Sequence, residues 1–550
     1  MTNAALYLHP NGYDTSNPSL LGRISAGESF LRGYLRHADV DRYVFWNVAG
    51  RPISELEALL ERVEAPKKPI TWIAQTNRAG LKDVGVLNMP VPGLTGEAWH
   101  RRPFGPRSYA ICGITHTTAT DRVMDGIGDM LVSPTEDYDA LICTSNAVRH
   151  SVDTQLDMMR AYLAEEFGPR RRPEPMRVTI PLGVNAADFA TSPEHRKAWR
   201  EKLDIPDDAV VALFMGRFNV RGKMNPALMA LALERAAKAT GKTLCWVNAG
   251  WAVSQKEEET YHAETRALCP SVLYRSVDGR PADVRFSIWS VADFFISFSD
   301  NIQETFGLTP IEAMAAGIPC VVTDWDGYKD TVRHGVDGFR VSTIAPPPGE
   351  GADFAFWFDN HWLNYDNYVG AAGQLTAIDY AEAEQAISAL VLDPELRARM
   401  GEAARRRARE VFDWSAVIPQ YQALWAEQNA RRLAAPPAPA TRDNPYRPDP
   451  FTLFQSYPTR HLSANTPVRL ASGMTWDVVE SLLKRNLVAY SNFNRPTLEE
   501  VRQVLAHLAE TGGSTVAHAA HLAAPNRRAY VARGLLWLAR YGVVILGEAG

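Results

Sequence analysis

Phe298–Val322 reads F-S-D-N-I-Q-E-T-F-G-L-T-P-I-E-A-M-A-A-G-I-P-C-V-V. Two carboxylates, Glu304 and Glu312, stand eight residues apart around F-G-L-T-P. Small residues, a Gly-Ile-Pro break and an apolar run follow. Pro310 suits the first turn of a helix, where its missing N–H is not needed. Gly307, Leu308 and Thr309 then leave free N–H groups at that turn. Such amides, with the positive end of the helix dipole, form an anion site, and phosphate is its common guest. Glu304 falls in the loop before the helix. Glu312 falls inside the first turn, where it is able to accept hydrogen bonds from sugar hydroxyls. Amides for phosphate beside carboxylates for hydroxyls call for a phosphorylated sugar.

A second segment agrees. Val210–Lys223 reads V-V-A-L-F-M-G-R-F-N-V-R-G-K. An apolar run of strand length ends at Gly216-Arg217, and a helical pattern begins near Asn225-Pro226. Cations at the carboxyl end of a parallel strand, beside a helix start, are placed to neutralise phosphate.

The spacing of Glu304 and Glu312, with Phe-Gly after the first and A-M-A-A-G-I-P after the second, resembles the donor signature of family 4 retaining glycosyltransferases. The resemblance implies a GT-B fold and a nucleotide-diphosphate sugar as donor. It implies that Glu304 lies against the donor sugar, that Glu312 holds the nucleotide ribose, and that the amides of Phe306, Gly307, Leu308 and Thr309 hold the diphosphate. The G-R…K element implies that Arg217 and Lys223 grip the same diphosphate. Its spacing is one residue longer than the commonest form, and Arg221 is the substitute for Lys223. In the first half, Leu21–Phe30 (L-G-R-I-S-A-G-E-S-F) follows the first strand. By resemblance it is a glycine-bearing donor loop, with Gly22 in contact with donor, although it departs from the usual Gly-Gly pattern. Gly113–Thr120 (G-I-T-H-T-T-A-T) sets His116 just past a strand, where the family often has a catalytic histidine facing the reacting sugar.

Composition fits this frame. At 550 residues the chain has room for two or three domains. Its 46% hydrophobic and 22% charged content is that of an ordinary soluble globular chain, and a net charge of −5 carries no overall nucleic-acid signal. Five widely spaced cysteines in mostly apolar runs predict buried thiols in a reducing, cytoplasmic compartment, without zinc spacing or a disulfide framework. The first residues, M-T-N-A-A-L-Y-L-H-P, do not read as a signal peptide, and no apolar run approaches a membrane span.

Short apolar runs alternate with helical patterns. Strands are expected at 5–8, 43–47, 70–74, 109–114, 140–144 and 178–180. A second series is expected at 210–215, 244–248, 272–274, 294–298 and 319–323. Strands separated by helix-length segments imply parallel sheets. The expected class is α/β, GT-B, with two facing Rossmann-like domains and a mainly helical C-terminal accessory domain. The boundaries are 1–183 for the acceptor-side domain, 184–412 for the donor domain, 413–433 for a closing helix returning to the first domain, 434–450 for a Pro-rich linker and 451–550 for the accessory domain. The join Ile180–Asn185 (I-P-L-G-V-N) resembles the family's interdomain linker.

From Arg442 onward the charge is +4, against −9 upstream. Helical patterns at 476–485, 497–510 and 529–541 read as a packed helical domain, often an oligomer interface, with Val531, Leu535 and Leu538 as an apolar face. The same stretch also reads as helix–turn–helix plus a strand, a winged-helix-like module. An aromatic and polar insertion, Phe354–Tyr368, is suited to stacking on sugar rings or to packing against the tail.

The expectation is therefore a retaining hexosyltransferase-type enzyme that moves a sugar from a nucleotide-diphosphate sugar to an acceptor hydroxyl on a glycan, glycolipid or protein. No cofactor or metal is expected, because fixed cations stabilise the leaving phosphate. The expected partners are the donor, a sugar, lipid-linked or protein acceptor, and a second copy through the tail, with no nucleic acid and at most peripheral membrane contact. The alternatives are a nucleotide-sugar epimerase or hydrolase on the same scaffold, and a non-catalytic regulatory protein with a winged-helix-like tail.

Overall fold

The structure, a computed structural model, describes residues 3–15, 22–169, 172–491 and 493–547. The chain divides into two compact units between Arg442 and Asp443, within the Pro-rich stretch. The first unit holds two parallel sheets. Strands β1 (Ala5–Leu8), β2 (Tyr43–Asn47), β3 (Ile70–Ile73), β4 (Val86–Asn88), β5 (Ala110–Ile114), β6 (Ala140–Cys143) and β7 (Met176–Thr179) form one, in the order β3-β2-β1-β4-β5-β6-β7. Strands β8 (Val210–Arg217), β9 (Leu244–Trp251), β10 (Leu273–Asp278), β11 (Phe294–Ser297), β12 (Cys320–Thr323) and β13 (Gly338–Val341) form the other, in the order β10-β9-β8-β11-β12-β13. Every pairing in both is parallel, including β8 with β9 in register from Val210↔Leu244 to Arg217↔Trp251. This is the expected GT-B pair of Rossmann-like domains. In each sheet the order reverses beside the first strand, the place where such sheets bind ligands.

Two strands of these parallel sheets escape the sequence reading. β4 has only three residues before a Met-Pro, and β13 is broken by Arg340. Both are fixed by their neighbours, β4 between β1 and β5 and β13 against β12.

Five helices matter below: α1 (Gly22–His37), α2 (Asn146–Phe167), α3 (Leu308–Ala316), α4 (Tyr365–Gln374) and α5 (Trp414–Ala434). α1 corrects the expected glycine loop. Gly22 opens the helix and Gly27 lies within it, while Leu21 lies outside the described residues. A Cβ at Gly27 would fall 2.0 Å from the Gly12 carbonyl oxygen, so this glycine serves helix-to-turn packing.

α5 is the closing helix. It packs on α1, and the buried Gln428 donates from Nε2 to the carbonyls of Ile111 (2.9 Å) and Tyr138 (3.0 Å) in the first domain. At its start Trp414, fully buried, donates from the indole N–H to Ser29 Oγ (2.8 Å). The two crossings between domains run side by side: Val184 N–H donates to Phe412 O (2.8 Å) and Trp414 N–H to Val184 O (3.1 Å). All five cysteines are buried and unpaired.

The insertion is bracketed by a short antiparallel pair, β14 (Thr343–Ile344) with β15 (Ala377–Ile378). The second unit, Asp443–Gly550, is mainly helical. It also carries a three-stranded antiparallel sheet, β16 (Pro467–Leu470) between β17 (Ser514–Thr515) and β18 (Val544–Leu546). Helices Val516–His521 and Arg528–Arg540 form the helix–turn–helix pair. Val531, Leu535 and Leu538 are at most 2% exposed and close this unit's own core with Val501, Val504 and Leu508. The apolar face expected to bind a second copy is thus already covered.

Candidate functional site

The site is built on the carboxyl ends of β5, β8, β11 and β12 and on the loop between β11 and α3. α3 starts at Leu308 with Gly307 as its N-cap, and no side chain caps that end. Gly307 has φ +84, and a Cβ there would lie 2.1 Å from the Tyr328 ring, so the turn admits only glycine. The first N–H groups of a helix have no intrahelical partner. The uncapped amides of α3 are therefore open to an anion.

Phe306 behaves differently from the expectation. Its ring is 1% exposed and packs against Phe412 at 6.0 Å between centroids. Its N–H, with that of Thr305, serves the Glu304 carboxylate. The amide supply for an anion therefore begins beyond Phe306.

Glu304 is the centre of charge. Lys223 Nζ stands 2.6 Å from Glu304 Oε2. Burial pushes this carboxyl up, but the Lys223 ammonium and the two backbone N–H groups outweigh it and hold the pKa below the usual value. Of the two cations here Lys223 is the one that meets Glu304; Arg221 is exposed, and its carbonyl accepts from Asn301 Nδ2 at 2.5 Å. Arg217, the last residue of β8, is half-buried and has no ion-pair partner among the described residues.

Glu312 is the fifth residue of α3, just past the first turn in which it was expected, because the helix begins at Leu308. It lines a cavity of about 90 Å³ with Arg285, Glu28, Arg32, Asn185 and Asp188, residues of both domains. Burial raises its carboxyl to about 7, with the Arg285 guanidinium opposing. Arg285 Nε is buried with no hydrogen-bond partner.

His116 sits past the end of β5, in a small cavity lined by Tyr13, Asn88, Pro90 and Trp414. Burial and the neighbouring Arg23 guanidinium drop its pKa to about 4, while a hydrogen bond to the Pro90 backbone works the other way. The ring is neutral near pH 7. Its backbone carbonyl accepts from Thr305 Oγ1 at 3.3 Å, tying the histidine loop to the Glu304 loop. Among the described residues, nothing lies within 4 Å of where a Cβ on Gly22 would stand.

A seam of polar contacts that sequence reading missed closes the cleft beside Glu304. Thr144 Oγ1 donates to Thr305 O (3.3 Å), Ser145 Oγ to Asp326 Oδ1 (3.4 Å), and Asn146 N–H to Asp330 Oδ2 (2.7 Å). The two aspartates face the N-terminus of α2, where negative charge is favoured. Asp326 adopts φ +41, its Oδ2 is buried without a partner, and burial beside Glu304 raises its carboxyl well above the usual range. The signal in the sequence was D-W-D-G-Y-K-D directly after β12.

The arrangement presents free amides, an unpaired guanidinium and a lysine–carboxylate pair to one cleft, which suits a diphosphate next to hydroxyls. Residues 195–344 match the family model described as glycosyl transferases group 1. The match falls within the second domain and spans about a quarter of the chain. The matched span contains Arg217, Lys223, Glu304 and Glu312. Among curated proteins, the chain is similar to D-inositol 3-phosphate glycosyltransferase of Corynebacterium efficiens, at 27% identity over 42% of this chain and 45% of that protein. It is 26% identical to a putative glycosyltransferase, EpsD, of Bacillus subtilis over 37% of this chain and 50% of the other. The chain spans about half the length of the curated relatives it matches. Among solved structures, Anabaena HepE in complex with UDP and glucose superposes with a TM-score of 0.50 over 77% of this chain and 99% of that one, at 16% identity. That likeness extends the shared fold beyond the group 1 domain into the first domain.

Proposed function

We propose that the chain is a retaining glycosyltransferase that moves a sugar from a nucleotide-diphosphate sugar to an acceptor hydroxyl. The observation that carries this reading is the Lys223–Glu304 pair at the mouth of an uncapped α3, with Arg217 left without a protein anion. In transfer, negative charge grows on the departing diphosphate. Preorganised N–H groups of Gly307, Leu308 and Thr309, with Arg217 and Lys223, stabilise that charge without a metal ion. Glu304 accepts from the sugar hydroxyls, Glu312 from the ribose, and neutral His116 faces the sugar from the other domain. Departure and attack on the same face account for retention. The similarity to inositol phosphate glycosyltransferases supports a small polyol or sugar as acceptor class.

The test is incubation with a panel of nucleotide-diphosphate sugars and with polyol, sugar and lipid-linked acceptors, followed by mass spectrometry. A glycosylated acceptor with release of nucleoside diphosphate is expected. Free sugar alone would favour the hydrolase alternative. No binding of any nucleoside diphosphate would remove the reading.

A further inference from the structure

The insertion between β14 and β15 turns back onto the phosphate-facing loop. α4 packs against the segment that carries Arg221, Gly222 and Lys223: a Cβ at Gly370 would meet Arg221 Cβ at 3.0 Å, and one at Gly222 would meet Asp366 Oδ1 at 3.4 Å. Asn301, 1% exposed, ties the two together by donating from Nδ2 to Arg221 O (2.5 Å) and to Val369 O (3.5 Å). The first residue of α4 is Tyr365. Its half-buried phenol lies beside the Thr117 side chain of the first domain, one residue past His116, and has the Arg217 guanidinium among its charged neighbours. Burial holds the phenol above its ordinary pKa, so the hydroxyl keeps its proton. The insertion thus brings a phenol to the end of the cleft that carries the Arg217 guanidinium, on a helix packed against the Arg221–Lys223 segment.

We infer that Tyr365 is a donor-binding residue whose hydroxyl gives a hydrogen bond to the diphosphate that Arg217 neutralises; this rests on the glycosyltransferase reading. The insertion is then part of the donor site. Thr117 holds the phenol in position when the site is empty and releases it to the phosphate oxygen. Tyr365 adds a neutral side-chain donor to the α3 amides and complements the two cations without adding charge.

The competing role is a latch, in which the phenol only joins the two domains through Thr117. Two variants separate them. Tyr365→Phe keeps the ring and removes the hydroxyl, and Thr117→Val removes the latch partner and keeps the hydroxyl. UDP, GDP and ADP are titrated by calorimetry into wild type and both variants, with the matching nucleosides as phosphate-free controls. The expected result is about ten-fold weaker binding of the preferred diphosphate in Tyr365→Phe, close to the loss of one hydrogen bond. Thr117→Val should stay within about two-fold of wild type, and nucleoside binding should be the same in all three. Unchanged diphosphate affinity in Tyr365→Phe overturns the inference, as does Thr117→Val reproducing the loss. A loss of nucleoside binding in Tyr365→Phe also overturns it, because the hydroxyl would then act through structure. A wild type that binds none of the three removes the glycosyltransferase reading itself, and this inference with it.

Discussion

Lys223 Nζ lies 2.6 Å from Glu304 Oε2, and the same carboxylate accepts from the N–H groups of Thr305 and Phe306. A residue after β8 and a residue after β11 thus share one charge balance. The pair links the cation proposed to serve phosphate to the carboxylate proposed to serve hydroxyls. Removing one partner changes the other.

Arg217→Ala should lower kcat/KM about 30- to 1,000-fold, the loss of roughly 2–4 kcal/mol of charge-assisted stabilisation. Lys223→Ala should be similar or milder in rate. It should also move the pH profile, because Glu304 then keeps only its backbone partners and its pKa rises. Steady-state kinetics from pH 5 to 8 checks both. Wild-type rates in the single variants and in the double variant would refute the site.

Glu304→Gln and Glu312→Gln should separate turnover from nucleotide affinity. Glu304→Gln leaves the α3 amides in place, so nucleoside diphosphate affinity is nearly kept while turnover falls. Glu312→Gln should weaken nucleotide binding. Calorimetry with the free nucleotide decides, and the opposite pattern would reverse the two roles.

Stability should fall as pH rises from about 4 to 7. Glu312 and Asp300 are both raised to about 7 by burial, opposed by Arg285 for the first and by backbone N–H groups for the second. In that window the folded chain holds protons that the unfolded chain has lost, so each step up in pH favours unfolding. His116, depressed to about 4, has the opposite sign between 4 and 6.5. Glu312→Gln and Asp300→Asn should flatten the fall, and His116→Gln should steepen it. Urea midpoints at half-unit pH steps measure each slope.

Deletion after Arg442 should leave nucleotide affinity unchanged, since every donor-site residue lies in the first unit. Activity on the natural acceptor or the mass in solution should change if the second unit places acceptor or joins copies. Calorimetry, transfer assays and light scattering on the truncated and full-length chains test this. Folded truncated protein that has lost nucleotide binding would assign the tail to the donor site.

Asp139→Ala should be among the most damaging substitutions far from the cleft. Arg101 and Asp139 are both fully buried, with Arg101 Nη1 2.6 Å and Nη2 2.8 Å from the carboxylate. The carboxylate also accepts from Ile111 N–H and Glu136 N–H at 2.8 Å each. Stranding the guanidinium should cost about 3–5 kcal/mol. A thermal melt reads the loss, and a shift of only a degree or two would contradict it.

What the sequence disclosed follows the range of the forces. Glu304, Glu312, Gly307 and Pro310 sit within nine residues, and local rules of helix initiation sufficed to put them at one helix start. Arg217 was legible because it ends an apolar strand. Pro310 stands in the first turn of α3 as expected, but Glu312, the fifth residue, falls just past that turn. Gly22 and Gly27 suggested a ligand loop because glycine identity does not say which backbone approaches; here it is that of Gly12. Asp326, Asp330 and Tyr365 acquire their surroundings from Ser145, Asn146 and Thr117, far away along the chain. No spacing rule reaches that distance. In the tail, the periodicity of Val531, Leu535 and Leu538 marked a buried face correctly but could not say that its cover comes from the same unit.

The adjoining crossings at Val184 and Asp413 define a pivot. Two chain passages hydrogen-bonded to each other resist sliding and twisting, so were the two Rossmann-like domains to open, the motion would be a swing about that line. The cavity of Glu312 includes Val184 and Asn185 and so lies at the axis, where a swing displaces its walls least. A ligand group seated there keeps its lodging through opening and closing. Groups that the facing walls must meet together are engaged only at the end of the swing. The nucleoside end of a donor would dock first, and the reacting end would be enclosed last.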